Sequence, residues 1–259
     1  MRLAPYSIHT NGRVQNLTVA VCADLHDQKK SADKALDLLR DLRPDLILLP
    51  GDIVENHPEP YGCGFAFLEE IGSIAPCYMS LGNHETGGRH YYRKGQTTLM
   101  NDPDSFRKFI TDIKSTGVTL LDQAIAETHG LILGGLTSHL YRNEEEKLDR
   151  RTLPEEFLSD FSSRPGFHVL LCHHPEIFPD IAKHPIELTL CGHAHGGQAR
   201  LFGHGLFAPG QGFFPKWTDG LIELPSNPGR QMLVSRGMAN NTPIPRLFNP
   251  TQIPVIRFD

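Results

Sequence analysis

Five short apolar runs in this chain each end just before side chains of the types that can bind metal ions. The runs cover residues 17–22, 45–49, 77–81, 169–172 and 188–191. Between the first three runs, residues 31–42 and 65–71 place apolar side chains at helical spacing. Strands that alternate with helices form parallel sheets, and open α/β sheets build their sites at the carboxyl ends of strands. The pattern therefore predicts an α/β fold with one polar site assembled from several strand ends.

The residues that follow these runs are carboxylates, imidazoles and one amide. They are Asp24-Leu25-His26, Gly51-Asp52, Gly82-Asn83-His84-Glu85, His173-His174-Pro175 and Gly192-His193-Ala194-His195. Mixed nitrogen and oxygen ligands without thiolate suit Mn, Fe, Zn or Co better than Ca or Mg. Two such ions about 3.5–4 Å apart form a general device for cleaving phosphate esters. The motifs therefore predict two divalent metal ions (Mn, Zn or Fe) and phosphate-ester chemistry.

Each candidate ligand has a chemical reason. Asp24 and His26 are two residues apart, so both can reach one ion from one loop. Asp52 has two carboxylate oxygens with which to bridge the ions, and Asn83 offers a neutral carbonyl oxygen. The remaining nitrogen ligands are predicted to be His193, His195 and one of the pair His173 and His174. Because a proline pushes the residue before it into extended geometry, Pro175 after His174 favours His173, which directly ends its run.

A hydroxide shared by the two ions is the expected nucleophile, because metal binding lowers the pKa of water toward about 7. His84 follows Asn83 and is predicted to stabilise developing charge or to protonate the leaving alkoxide. Glu55 comes three residues after Asp52 and is predicted to orient the His84 imidazole. The chain has 14 histidines, so one motif can arise by chance. Five motifs in order, each after an apolar run, make chance a poor explanation.

The rest of the chain predicts further strands and helices but no linker. Residues 105–116 have helical spacing, and Ser31 is predicted to cap the helix over residues 31–42. Further strands are predicted at residues 118–121, 131–136, 231–235 and 255–258. The polar stretch 137–161, with Glu144-Glu145-Glu146 in its middle, is predicted to be loop and helix at the surface. Since no repeat or linker is visible, we expect a single domain over residues 1–259.

Composition and charge restrict the partners and the compartment. The net charge of -5 argues against dedicated nucleic-acid binding, because phosphate backbones favour a basic surface. The five cysteines are an odd number without a CxxC pair, so free thiols in a reducing compartment are expected. Buried apolar strand positions explain these cysteines better than zinc ligation does. No run approaches the roughly 20 apolar residues of a membrane span. We therefore expect a cytoplasmic chain without a transmembrane segment, with peripheral membrane association left open.

The ordered motif set resembles the calcineurin-like metallophosphoesterase superfamily over roughly residues 19–195. The resemblance implies a four-layer α/β/β/α sandwich, in which helices flank two mixed sheets. It also implies that His84 is the catalytic histidine. Glu55 stands where the superfamily usually has aspartate, so its carboxylate reaches one methylene further. By the same resemblance, the first ion takes Asp24, His26, Asp52 and His195, and the second takes Asp52, Asn83, His173 and His193.

Three later segments resemble the bacterial phosphoesterases of the YkuE and YaeI type within that superfamily. They are residues 192–198 (GHAHGGQ), 208–216 (APGQGFFPK) and 233–248 (LVSRGMANNTPIPRLF). This resemblance implies Mn- or Zn-dependent hydrolysis of phosphodiesters or monoesters, and some relatives act on a UDP-diacylglucosamine lipid precursor. The expected partner is therefore a small-molecule or lipid-linked phosphate ester.

Four polar residues downstream of the ligands are candidates for substrate binding, with a surface or fold-supporting role as an equal alternative. They are Gln198, Arg200, Arg236 and Asn240. Arginine is suited to this role because its guanidinium binds phosphate in a bidentate manner. Phe213, Phe214 and Trp217 offer an apolar wall for a base or an acyl chain, although packing is the commoner role of such a cluster.

Phosphodiester hydrolysis is the favoured function, and three alternatives stay open. One is a phosphomonoesterase or protein phosphatase, and another is a nuclease, which the acidic balance disfavours. The third is a metal-stabilised scaffold that has lost catalysis. Such a scaffold should lack a ligand or His84, and the sequence lacks none of them.

Overall fold

Two six-stranded sheets form the frame of the molecule. The computed structural model describes residues 1–57, 60–86, 102–138, 153–242 and 244–259. The strands are β1 (Arg2–Ile8), β2 (Leu17–Val21), β3 (Leu46–Pro50), β4 (Cys77–Ser80), β5 (Thr119–Leu120), β6 (Ile125–Thr128), β7 (Leu131–Leu136), β8 (Phe167–Cys172), β9 (Leu188–Cys191), β10 (Arg200–Leu201), β11 (His204–Gly205), β12 (Phe207–Ala208), β13 (Gly212–Phe213), β14 (Gly220–Glu223), β15 (Gln231–Val234) and β16 (Gln252–Phe258). The helices are α1 (Lys29–Leu42), α2 (Cys63–Gly72), α3 (Asn83–Thr86), α4 (Pro103–Ser115), α5 (Glu155–Ser163) and α6 (Phe178–Ile181).

Both sheets have a parallel centre. The first sheet has the order β1-β16-β2-β3-β4-β5 and the second the order β14-β15-β9-β8-β7-β6. Strands β2 to β5 pair in parallel, as the alternation of strands and helices predicted. Strand β16 is antiparallel to β2, and the second sheet has antiparallel pairs at both edges. Both sheets are therefore mixed, as expected.

The central strands are mostly apolar because each is covered on both faces. In β3, Leu46 and Leu48 belong to the cluster between the sheets, whereas Ile47 and Leu49 pack against the helices. This alternation follows from the period of two residues along a strand. Helices α1, α2 and α4 cover the first sheet, and α5 covers the second. The layers therefore follow the predicted order α/β/β/α.

Two predicted helix starts need correction. Helix α1 begins at Lys29, so Ser31 lies inside its first turn, and Gln28 is the N-cap residue. Helix α4 begins at Pro103, and the side chain of Asp102 caps it by accepting a backbone N–H hydrogen bond. Proline suits the first helical position because it lacks an N–H group and its φ angle is already helical. The apolar spacing located both helices, and for α4 the Asp102 cap and Pro103 mark where the helix begins.

Several elements were not predicted from the sequence. Strand β1 lies at the edge of the first sheet, and β6 and β14 lie at the edges of the second. The hairpins β10–β11 and β12–β13 have only two residue pairs each. Edge strands and short hairpins are partly exposed, so their hydrophobic pattern is weak. Within the predicted surface stretch 137–161, helix α5 begins at Glu155, and the Glu144-Glu145-Glu146 run lies outside the described residues.

The cysteines behave as small apolar residues. All five are free thiols, as predicted, and four of them are buried. Cys22 packs in the cluster under helices α1 and α2, and Cys172 packs under α5. In the part of the chain described above, we find no helix with both the length and the apolar character needed to cross a bilayer.

An ion-pair cluster joins the two sheets just before strand β9, at the strand end opposite the predicted ligands. Glu187 accepts a hydrogen bond of 2.6 Å from Arg13, which lies in the loop between β1 and β2. It also accepts the His168 backbone N–H at 3.0 Å and lies 2.9 Å from the Nδ1 of that ring. Partial burial opposes ionisation of Glu187, but these hydrogen bonds outweigh it and lower its pKa to about 2.

Replacing Glu187 by glutamine should lower the free energy of unfolding by about 1–2 kcal/mol at pH 7. Because the folded-state pKa is below the ordinary 4.5, the charge stabilises the fold above pH 4.5. This stabilisation is lost as the pH falls toward 2. Urea unfolding of both proteins at pH 7 and at several pH values below 4.5 measures the difference in their free energies of unfolding. This difference should become smaller as the pH falls. A difference independent of pH would mean that packing, and not charge, is responsible.

Candidate metal centre

The predicted ligands from both sheets meet at one end of the sandwich. They follow the carboxyl ends of β2, β3, β4, β8 and β9, and all seven are buried. Six of them supply ligand atoms that form two groups, each within 4.8 Å. One group is Asp24, His26 and His195, and the other is Asp52, His173 and His193. The Oδ2 of Asp52 also lies 3.9 Å from the Nε2 of His26, so its carboxylate reaches toward both groups. This division matches the two-ion arrangement that the resemblance implies, while the assignment of each ligand stays a prediction.

Several buried polar atoms of the cluster make no hydrogen bond within the described part of the chain. They are Asp24 Oδ2, His26 Nε2, His193 Nε2 and both side-chain atoms of Asn83. Burying a polar atom without a partner is unfavourable, so such a concentration needs an explanation. Bound cations would satisfy the oxygen and nitrogen lone pairs together. The donor set therefore fits a pair of divalent metal ions.

The charges of the second group also suit a cation. Burial opposes the ionisation of Asp52, but His173, His84 and His26 hold its pKa well below the ordinary value. His173 lies 3.0 Å from the Oδ2 of Asp52, and although burial disfavours its charged form, this carboxylate raises its pKa to about 10. Burial and neighbouring histidines lower the pKa of His193 well below its ordinary value. Metal binding here must displace the His173 proton, so metal affinity should rise with pH.

The backbone around the ligands adopts conformations that side chains seldom occupy. Asp24, Asp52 and His193 have φ angles of 55°, 58° and 65°. Such left-handed residues are uncommon outside glycine and cluster at functional sites. Gly51, at φ 87°, allows the chain to turn sharply before Asp52. Gly82 is needed for a different reason, because a Cβ there would lie 2.2 Å from the Oδ1 of Asp52.

Hydrogen bonds from the other ring nitrogen orient two of the histidines. The Nδ1 of His173 lies 2.8 Å from the Pro50 carbonyl oxygen, which leaves Nε2 to face Asp52. The Nδ1 of His26 is likewise 3.1 Å from Glu55, which leaves its Nε2 for an ion. A partner on one nitrogen fixes the tautomer that presents the other nitrogen to a metal. His174, the open alternative to His173, instead contacts Ser138 and Glu176.

Glu55 contacts two histidines at once. Its Oε2 lies 2.7 Å from the Nδ1 of His84, and its Oε1 lies 3.1 Å from the Nδ1 of His26. Partial burial opposes its ionisation, but both imidazoles lower its pKa to about 2. Burial disfavours the charged form of His84 as well, yet Asp52 and Glu55 raise its pKa to about 9. The longer side chain at this position thus links the candidate catalytic histidine to a candidate ligand.

Replacing Glu55 by glutamine should lower kcat/KM or first-ion affinity by about 10–100-fold, the usual effect of losing a partner behind a ligand. Replacing it by aspartate should be milder, because the shorter chain can keep one ring but not both. Metal titration and steady-state kinetics of both variants separate the two losses. Unchanged metal affinity and unchanged kinetics in Glu55→Gln would contradict the role of this carboxylate.

Glu85 belongs to the Gly82–Glu85 motif, yet the motif alone gave it no role. Its buried carboxylate accepts backbone hydrogen bonds from Asp52, Ile53, Val54 and Gly82 at 2.6–3.0 Å. These bonds fix the loop after β3 to the loop after β4. Because Asp52 and Asn83 lie in those loops, Glu85 positions ligands without facing the ion sites itself. The signal for this role in the sequence is the position of a carboxylate directly after Asn83 and His84.

Two residues near the cluster were missed by sequence reasoning. Arg246 lies 3.0 Å from the Nδ1 of His195 and hydrogen-bonds the carbonyl oxygens of Arg236 and Ala239. Burial lowers the pKa of Arg246 to about 10. The Nδ2 of Asn241 lies 3.2 Å from the Nδ1 of His26. Both residues lie in the segment 233–248, which carries the resemblance, but nothing in that segment marks these two individually.

The predicted substrate-binding residues are engaged with other protein groups. Arg200 lies 2.5 Å from the Oδ1 of Asp219, and Arg236 lies 2.7 Å from its Oδ2. Gln198 donates a hydrogen bond of 2.8 Å to the side-chain oxygen of Asn240. These contacts agree with the fold-supporting alternative, and a substrate role for the four stays a prediction. Of the three predicted wall residues, Phe213 and Phe214 are exposed, whereas Trp217 packs against the core.

Comparison with known sequences and structures shows which proteins this chain is similar to. YkuE of Bacillus subtilis, an uncharacterized metallophosphoesterase, is 27% identical over 77% of this chain and 63% of its own length. Phosphodiesterase YaeI of Escherichia coli is 27% identical over 69% of this chain and 60% of its own. UDP-2,3-diacylglucosamine pyrophosphatase LpxG of Chlamydia muridarum is 23% identical over 99% of this chain and 86% of its own length. The chain thus spans about six tenths of YkuE and YaeI.

The fold has a counterpart among solved structures. TT1561 of Thermus thermophilus superimposes with a TM-score of 0.53, covering 86% of this chain and 91% of that one at 12% identity. At such low identity this likeness shows the fold alone. The family model for calcineurin-like phosphoesterases matches residues 17–197, the stretch that contains every predicted ligand. The chain therefore belongs to the calcineurin-like phosphoesterase family.

Proposed function

We propose that this chain is a binuclear-metal hydrolase that cleaves a phosphodiester or pyrophosphate bond in a small or lipid-linked substrate. The observation that carries the proposal is the cluster of seven buried candidate ligands with His84 beside it. The Nε2 of His84 lies 3.9 Å from the Oδ2 of Asp52. The names of YaeI and LpxG, a phosphodiesterase and a pyrophosphatase, favour diesters and pyrophosphates over monoesters.

The ions would be held by Asp24, His26, Asp52 and His195 on one side, and by Asp52, Asn83, His173 and His193 on the other. When bound, two such ions neutralise phosphate charge and activate water near neutral pH. The nitrogen and oxygen donors favour Mn, Zn or Fe for these positions.

The chain's own groups supply a proton to the leaving group. With a pKa of about 9, His84 carries a proton at neutral pH. Glu55 holds the Nδ1 side of this ring, so Nε2 is the nitrogen that faces the cluster and donates to the leaving oxygen. Burial of the surrounding carboxylates strengthens each of these interactions by excluding water.

The test is hydrolysis of bis-p-nitrophenyl phosphate and p-nitrophenyl phosphate by metal-stripped protein, with Mn, Zn, Fe or Mg added back. Diester turnover that depends on added metal would support the proposal. Faster turnover of the monoester would favour the phosphomonoesterase alternative. Two bound ions without any turnover would overturn the hydrolase and favour the scaffold, and competition by duplex or single-stranded DNA would favour the nuclease.

A further inference from the structure

The exposed apolar side chains of this protein are concentrated in two segments beside the metal centre. Among the described residues, every exposed large hydrophobic side chain lies within residues 196–218 or 237–250. They are Leu201, Phe202, Phe207, Phe213, Phe214, Ile244, Leu247 and Phe248. Singly scattered apolar side chains are ordinary on a protein surface, whereas exposed apolar side chains gathered in one region mark interaction sites. The concentration therefore indicates an interaction surface.

Three of these phenylalanines also strain the backbone. Phe202, Phe214 and Phe248 are 92%, 81% and 86% exposed, and their φ angles are 49°, 53° and 53°. A bulky residue at positive φ is an outlier, since glycine or asparagine adopts this conformation more easily. The folded chain gains little from an aromatic ring that points into water from a strained turn. A gain on binding explains why the rings stand there.

Hydrogen bonds place the turns on a common base. The Arg200 N–H donates to the Leu247 carbonyl oxygen at 2.9 Å, which joins the segment before β16 to hairpin β10–β11. The Leu206 N–H donates to the Gly197 carbonyl oxygen, and the Phe214 N–H donates to that of Leu206, each at 3.0 Å. Both hairpins and the final segment thus rest on residues 196–200.

This base directly follows the candidate ligand His195. The final segment also contacts the cluster, because Asn241 lies 3.2 Å from His26 and Arg246 lies 3.0 Å from His195. Whatever binds the apolar turns is therefore held next to the metal centre.

The charge of the two segments indicates the chemistry of the partner. Residues 196–218 and 237–250 contain no aspartate or glutamate, although the chain has a net charge of -5. Arg200 is paired with Asp219 and Arg246 contacts His195, so Lys216 is the exposed cation of these segments. Exposed Lys216 places its ammonium group 4.8 Å from the centre of the Trp217 ring. Aromatic turns with an exposed ammonium group and no acid within the two segments complement an anionic lipid surface.

We propose that residues 196–218 and 237–250 dock on an anionic lipid bilayer, with Phe202, Phe214 and Phe248 entering the interface between headgroups and acyl chains. Separate protruding rings suit a soft bilayer, which needs no matching pockets, better than they suit a protein surface. The proposal rests on the proposed function for its purpose, since docking would bring the metal centre to lipid-linked phosphate esters.

The test is co-sedimentation of the full chain with phosphatidylcholine vesicles, with and without added phosphatidylglycerol. The triple variant Phe202→Asn, Phe214→Asn and Phe248→Asn removes the rings and keeps a residue that tolerates positive φ. His129→Asn is the matched control, because His129 is an exposed residue at φ 51° on hairpin β6–β7, outside the surface. The triple variant should lose at least roughly tenfold in partition coefficient, and the control should bind as the parent chain does.

Binding of the parent chain should also be stronger with phosphatidylglycerol, weaken with salt and weaken in Lys216→Gln. Equal binding by the triple variant, or no binding of the parent chain to either vesicle, would overturn the proposal. Sedimentation velocity without vesicles tests a second copy of the chain as the partner. A dimer of the parent chain that the triple variant does not form would overturn the proposal. These readouts need no turnover, so an inactive protein that binds vesicles would overturn the proposed function and leave the docking surface intact.

Discussion

Replacing Asp52 by asparagine should reduce diester hydrolysis by at least about a thousandfold. The Asp52 carboxylate lies between the two ligand groups, with Oδ2 3.0 Å from His173 and 3.9 Å from His26. Its Oδ1 accepts the backbone N–H of His84 at 2.9 Å. Asparagine keeps the volume but removes the negative charge and one of the two oxygens. The metal content measured by elemental analysis should therefore fall below two ions per chain.

Glu187→Gln is the control for Asp52→Asn. Glu187 is also a carboxylate that contacts a histidine, but it precedes β9, whereas the ligands follow the carboxyl ends of the strands. Its loss should reduce stability and leave metal content and turnover unchanged under conditions where the chain is folded. An Asp52→Asn protein that retained two ions and normal turnover would show that this carboxylate does not bridge the two ions.

The ligand motifs could be predicted from the sequence because their signals are local. A central strand covered on both faces is mostly apolar, and a polar residue just after it stands out, as Asp24 does after β2 and His173 after β8. Pro175 favoured His173 over His174 as the ligand, and in the structure His173 faces Asp52 while His174 turns toward Ser138. Only the family resemblance predicted that strand ends from two different sheets meet at one site.

The remaining features of the site depend on contacts between distant parts of the chain. Arg246 reaches His195 from 51 residues further along the chain, and no spacing rule connects the two. The second contact of Glu55, to His26, depends on the packing of the loops after β2 and β3. Arg200 and Arg236 likewise share the partner Asp219, a residue outside every motif that the sequence analysis defined. The residue types indicate which groups these side chains can contact, but tertiary packing determines which partners they contact.

Replacing His84 by asparagine should lower kcat by about 10²–10⁴-fold while two ions stay bound, because a general acid contributes about that much. His84 is separate from the predicted ligands, and its backbone N–H, which holds Asp52, is kept in the variant. Elemental analysis of the variant therefore checks that the loss arises from the ring and not from the metal centre.

The size of the His84→Asn loss should depend on the leaving group. An alkoxide needs a proton as it departs, whereas p-nitrophenolate is stable without one, so the loss should be largest for alkyl diesters. A loss independent of the leaving group would mean that His84 stabilises charge on the phosphate instead of donating a proton.

The Glu55→Gln and His84→Asn effects should also be less than additive in the double variant, because the glutamate acts on the reaction through this ring. Full additivity would leave His26 as the only route by which Glu55 affects turnover.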